Sequence, residues 1–70
     1  MSVTIDEYRE KLRSLIEERS DAMEKLDLFI EYAASGHDEL LYESGHDAKQ
    51  HLQRLMHLIS EIIVFSRNIE

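Results

Sequence analysis

Residues Thr4 to Ala34 read TIDEYREKLRSLIEERSDAMEKLDLFIEYAA, and the spacing of their apolar side chains decides the fold. Ile5, Tyr8, Leu12, Leu15, Ala22, Leu26, Phe29 and Ala33 follow one another in alternating steps of three and four, with Arg19 filling the single gap. This a/d heptad, held over four repeats, is the pattern of a long helix with one apolar seam. Ile16, Met23 and Ile30 stand one residue further round and widen the seam. A stripe three positions wide suits a helix packed in a bundle rather than a thin two-stranded coil.

The ends of this segment are also written locally. Thr4-Ile5-Asp6-Glu7 fits a capping box, with Val3 and Tyr8 at the positions of a hydrophobic staple. Asp6, Glu7 and Glu10 place negative charge at the positive end of the helix dipole. Gly36 is placed to take the left-handed position just past the last turn. At 1.5 Å per residue the helix is roughly 45 Å long. Inside it, Arg19 has two readings. It either snorkels past the core with its head in water, or it sets register by pairing with an acid across an interface.

The second half repeats the logic. Ala48, Leu52, Leu55, Ile59, Ile62, Ser66 and Ile69 recur in steps of four and three. Met56 and Ile63 widen this seam on one side, Leu58 and Phe65 on the other. Between the halves, Ser35-Gly36-His37-Asp38 recurs as Ser44-Gly45-His46-Asp47, and each copy reads as a serine N-cap with aspartate at N3. The spacing predicts a short helical turn over Asp38 to Glu43, with Ser44 capping the main second helix. The alternative is one continuous helix from Asp38 with Gly45 as a weak point. The expected fold is all-α, an antiparallel helical hairpin occupying residues 1–70 as a single domain. Its first helix spans about 5–34, its connection 35–44 and its second helix about 45–68.

A chain of 70 residues with no cysteine cannot add a disulfide to a small core. The absence of proline, with 43% apolar and 33% charged residues, fits a helical bundle. There is no basic leader with an apolar core and no run of 18 apolar residues, so the expectation is a cytoplasmic protein without a membrane span. Met1 fits a complete small reading frame. The net charge is −7, with 12 acids against 5 bases in residues 1–43 and three of each in residues 44–70. That sign argues against direct binding to nucleic acid. An acidic face instead docks on a basic protein surface or imitates DNA, or it simply keeps an apolar bundle soluble.

Chemistry is harder to place. The chain has no cysteine nucleophile, no glycine-rich phosphate loop and no HExxH, and a hairpin offers little concave volume. No catalytic residue is assigned, and the expectation is a protein that is not an enzyme. Of the four histidines, His51 stands i, i+4 to Asp47, and His37-Asp38 lies at the turn. Neither arrangement matches a bundle-core metal motif. No metal or cofactor is expected.

The seams point to contact instead. Two helices bury one narrow strip each, yet both stripes here are three positions wide. Leaving half a dozen large aliphatic side chains exposed forfeits on the order of 10 kcal/mol, comparable with the whole stability of a small domain. The expected resolution is a homodimer, two hairpins forming a four-helix bundle through Leu12, Leu15, Leu26, Phe29, Leu52, Leu55, Ile59, Ile62 and Phe65. Leu28, Tyr32, Leu40, Leu41 and Tyr42 are the candidate patch for an outside partner at the closed end. Leu58, Val64 and Phe65 form a second patch at the open end. The function expected is a non-catalytic protein-binding module that modulates, as an inhibitor or anti-activator does, a regulator with a basic surface. Phage-encoded inhibitors of regulators share this size and charge as a general type. The alternative is a chaperone subunit: in outline, the turn Gly45 to Gln50 and the apolar helix after it are similar to the small co-chaperones of type III secretion needle proteins. That resemblance implies a helical hairpin shielding an aggregation-prone partner. The remote third class is a metal-binding sensor.

Overall fold

Thr4 starts the first helix as its capping box predicts. Its hydroxyl accepts from the Glu7 amide at 3.2 Å, and the Glu7 carboxylate accepts in return from the Thr4 amide and hydroxyl. In the computed structural model, which describes residues 2–69, this helix (α1) runs Ile5–Ser35 and the next (α2) runs Asp38–Ser66. Gly36 ends α1 with φ of 75°, in the left-handed region, and its amide donates to the Tyr32 carbonyl. The chain reverses within two residues, and the helices pack against each other as a hairpin 51 Å long, 15 Å wide and 12 Å deep.

The connection is much shorter than the expected 35–44. Only Gly36 and His37 stand outside the helices, and α2 continues unbroken through Ser44 and Gly45. The separate turn over Asp38 to Glu43 is therefore corrected to the first turns of α2. The reason lies in the second copy of the repeat. The Ser44 hydroxyl does not cap forward; it donates backward to the Leu40 carbonyl at 2.8 Å, the ordinary resort of a serine inside a helix. Ser44 is buried, and Gly45 faces Phe29 so closely that a Cβ there would lie 3.0 Å from Phe29 Cε1. Gly45 is thus a packing glycine, and the two repeats do different jobs.

At the open end, the Val3 amide donates to the Asn68 carbonyl at 2.8 Å, and Val3 pairs with Ile69 in an isolated parallel bridge. Val3 is buried there, which ties the chain ahead of α1 to the end of α2.

Midway along, the closest packing belongs to Ala22 and Ala48, 1% and 4% exposed. Among the described residues they and Val3 are the buried apolar side chains. The row of α1 that turns toward α2 is Tyr8, Lys11, Leu15, Glu18, Ala22, Lys25, Phe29 and Tyr32, all buried or half-buried. This row is rotated from the expected seam. Tyr8, Leu15, Ala22 and Phe29 are shared; Glu18 and Lys25 stand in place of Arg19 and Leu26, which are exposed, and Lys11 joins Leu12 as a half-buried residue. Of the nine seam residues, Leu12, Leu15, Phe29, Leu52, Leu55, Ile62 and Phe65 are half-buried, whereas Leu26 and Ile59 are exposed.

Candidate interaction surface

The hairpin has two unlike faces. On one, here the front, Leu26 and Phe29 of α1 line a groove with Leu41, Tyr42, Lys49 and Leu52 of α2. Helical spacing extends this face along the molecule. Met23, Ile30 and Ile16 stand on the Leu26 side of α1, and Met56, Ile59 and Ile63 on the Leu52 side of α2. All six are exposed, from 43% at Ile59 to 67% at Met56, and Ile5 continues the α1 row to the open end. Ile16, Met23 and Ile30, which widen the first seam, and Met56 and Ile63, which widen the second on one side, are thus left uncovered, whereas Leu58 and Phe65 on the other side are half-buried. Arg19 lies within this apolar row, exposed.

The back carries the polar contacts. Lys11 Nζ meets Glu61 at 2.6 Å, and the same ammonium stands 5.6 Å from the centre of the Phe65 ring. The hydrogen bond from Lys11 holds the Glu61 carboxyl below the ordinary glutamate range, and the nearby charges of Lys11 and His57 act in the same direction, against the cost of lost hydration. His57 Nε2 also lies 3.0 Å from Glu61. Further along, His51 Nδ1 lies 3.0 Å from Glu18 Oε1, joining the two helices. Among the described residues, no buried side-chain nitrogen or oxygen lacks a hydrogen-bond partner.

The five-residue patch expected at the closed end divides between the faces. Leu28, Tyr32 and Leu40 come together on the back around Ser44, Glu43 and Asp47, where the Tyr32 and His37 rings lie 6.0 Å apart. Leu41 and Tyr42 open instead onto the front groove. The cause is the continuous α2: successive helical residues diverge by about 100°, so Leu40 and Leu41 cannot share a face as they could in a loop. The open-end trio is dispersed too. Leu58 borders Gln50, Gln53, Arg54 and His57, Phe65 packs beside Lys11 and Ser14, and Val64 is 55% exposed.

One cluster was not legible in the sequence. Glu18, Asp21 and His51 each offer a ligand atom, and these atoms lie within 4.8 Å of one another. Glu18 and Asp21 are one turn apart on α1, but His51 joins them only through the register of α2, which no local spacing reveals. Asp47 and His37, the partners suggested by spacing, are not in this group. Among the described residues, no helix is long and apolar enough to cross a membrane. Comparison with protein-family models, curated proteins and solved structures gives no match.

Proposed function

We propose that this chain is a non-catalytic protein-binding module that pairs through its front face with a second copy of itself. The product is an antiparallel four-helix bundle whose acidic exterior engages and modulates another protein. The observation that carries the reading is the uncovered apolar face. Ile5, Ile16, Met23, Leu26, Ile30, Met56, Ile59 and Ile63 are each between 37% and 67% exposed. Covering what remains of each contributes on the order of 1 kcal/mol, half the value of a fully buried aliphatic side chain. Together they approach the 8.2 kcal/mol of a micromolar complex before the costs of association. The area is also suitable. A face 51 Å by 15 Å presents roughly 750 Å², close to the ~800 Å² per partner of a standard interface.

The test is sedimentation equilibrium over a concentration series, with Met23→Glu and Met56→Glu as variants. Both side chains are well exposed in the hairpin, so the charges leave the two-helix contact alone. The expected result is a dimer for the parent chain and a helical monomer for the double variant. A parent chain monomeric at every concentration overturns self-pairing and assigns the face to a different protein. A dimer that survives both glutamates places the contact elsewhere.

A further inference from the structure

We propose that Glu18, Asp21 and His51 form a site for a divalent transition-metal cation of the zinc class. The donor set is one imidazole nitrogen and two carboxylates, a mixture that suits zinc, cobalt or nickel better than calcium or magnesium, which take oxygen alone. Three protein ligands with a fourth position left for water is the usual composition of an open tetrahedral site. The three ligand atoms already lie within 4.8 Å of one another, and His51 Nδ1 is 3.0 Å from Glu18 Oε1. Bonds of about 2.0–2.1 Å in a tetrahedron set ligand atoms roughly 3.3 Å apart. Closure therefore needs the ligand atoms to draw together by at most about 1.5 Å.

The backbone at this point is fixed independently of any ion. Ala22, next to Asp21, and Ala48, one turn before His51, are the most closely packed residues between the helices. The Glu18 side chain is only 12% exposed and the His51 side chain 21%. Glu18 and Asp21 bring two carboxylates together beside His51 Nδ1, a concentration of negative charge that calls for a positive one. A dication supplies that charge, takes Nδ1 as a ligand and leaves Nε2–H to donate outward. Because the ligands come from both helices, binding also joins α1 to α2 in a chain that has no cysteine to do so. The site lies on the back, so it stands or falls separately from pairing through the front.

Tag-free protein is titrated with zinc chloride and followed by calorimetry and thermal melting, and cobalt chloride is used for its visible spectrum. The expected result is one ion per chain, a tetrahedral cobalt absorption, and a rise in Tm of about 10–20 °C at hundredfold excess over Kd. Magnesium at the same concentration should leave Tm unchanged. Asp21→Asn is the informative variant, because Asp21 is exposed, so the chain folds without its carboxylate and the readout is the zinc affinity itself. It should weaken zinc binding at least tenfold, and His51→Gln should abolish it. The double variant His46→Gln, His57→Gln should bind as the parent does. Absence of saturable zinc binding below 100 µM overturns the proposal. So does binding that is lost in the His46, His57 variant and kept in Asp21→Asn.

Discussion

Gly45 allows a sharp test of how the helices meet, because two effects of known size oppose each other there. Replacing a mid-helix glycine with alanine stabilises a helix by about 0.8–1.0 kcal/mol through chain entropy. The new methyl would lie 3.0 Å from Phe29 Cε1 and 3.3 Å from Cδ1, well inside the 3.5–4.0 Å of a relaxed carbon contact. Phe29 is half-buried in the row that faces α2, so its ring can yield only by disturbing that contact. Overpacking of this kind costs about 1–3 kcal/mol. The steric effect wins, and Gly45→Ala should destabilise the chain by about 1 kcal/mol, lowering Tm by about 4–8 °C for a domain of this size. In a Phe29→Ala background the obstacle is gone, and the same substitution should raise stability by about 1 kcal/mol relative to that background. Thermal melts of the four chains at one protein concentration form a double-mutant cycle with a coupling of about 2 kcal/mol. If Gly45→Ala alone raises Tm, Gly45 is a helix-weakening residue without a packing role, and the account of its close contact with Phe29 is wrong.

Thr4→Ala removes the hydroxyl that accepts from Glu7 and should lower stability by about 1 kcal/mol, read as a fall in urea midpoint at unchanged m-value. Gly36→Ala should cost about 1 kcal/mol from backbone strain alone, since φ is 75° and no atom lies within 4 Å of the added Cβ. Gly36→Asn should recover part of that loss in the same melt. Glu61 gives a pH signature. Its pKa is lowered in the folded chain, chiefly by the Lys11 hydrogen bond, so its contribution is complete above the ordinary glutamate value and is lost as pH falls through the folded value. Parent and Lys11→Met should therefore differ in urea midpoint more at neutral pH than at about pH 3, and a gap that widens on acidification would refute this.

The boundaries that proved legible are those a side chain or a glycine enforces locally. Thr4 and Glu7 cap each other within one turn, and Gly36 takes a φ that other residues avoid; neither depends on the rest of the chain. Ser44-Gly45 carried the same local signal and misled, because a serine can satisfy its hydroxyl on the preceding turn as well as on the following one. Only the presence of Phe29 across the hairpin shows why glycine stands at 45. The rotation of α1 was hidden for a related reason. Apolar spacing fixes a stripe, but a stripe three residues wide does not say which edge meets the neighbour. Lys11 and Glu18 occupy contact positions because Glu61 and His51 stand opposite them, and those pairs exist only once the register is set. The Glu18, Asp21, His51 cluster was unreadable for the same cause.

That rotation bears on the larger reading. In a hairpin sufficient to itself, each apolar row would point straight at the other helix and the polar residues would share the two outer faces evenly. Here the rows of both helices are turned to the same side of their contact. On α1, Ile16, Met23 and Ile30 stay exposed while Lys11 and Glu18 are drawn inward; on α2, Met56 and Ile63 stay exposed while His51 and Glu61 are half-buried. The opposite side holds the interhelical Lys11–Glu61 ion pair and the Glu18–His51 hydrogen bond, which a solvated surface tolerates and an apolar interface does not. A helix in a four-helix bundle touches two neighbours, so its apolar stripe points between them, toward the bundle axis. Two helices whose stripes both lean toward one side have the geometry of half such a bundle. Added apolar width with no partner to meet would have no reason to fall on the same side of both helices. The lean also separates the two proposals in space. Self-pairing would cover the front and leave the acidic exterior and the Glu18, Asp21, His51 cluster open, so a dimer could bind a partner or an ion without coming apart.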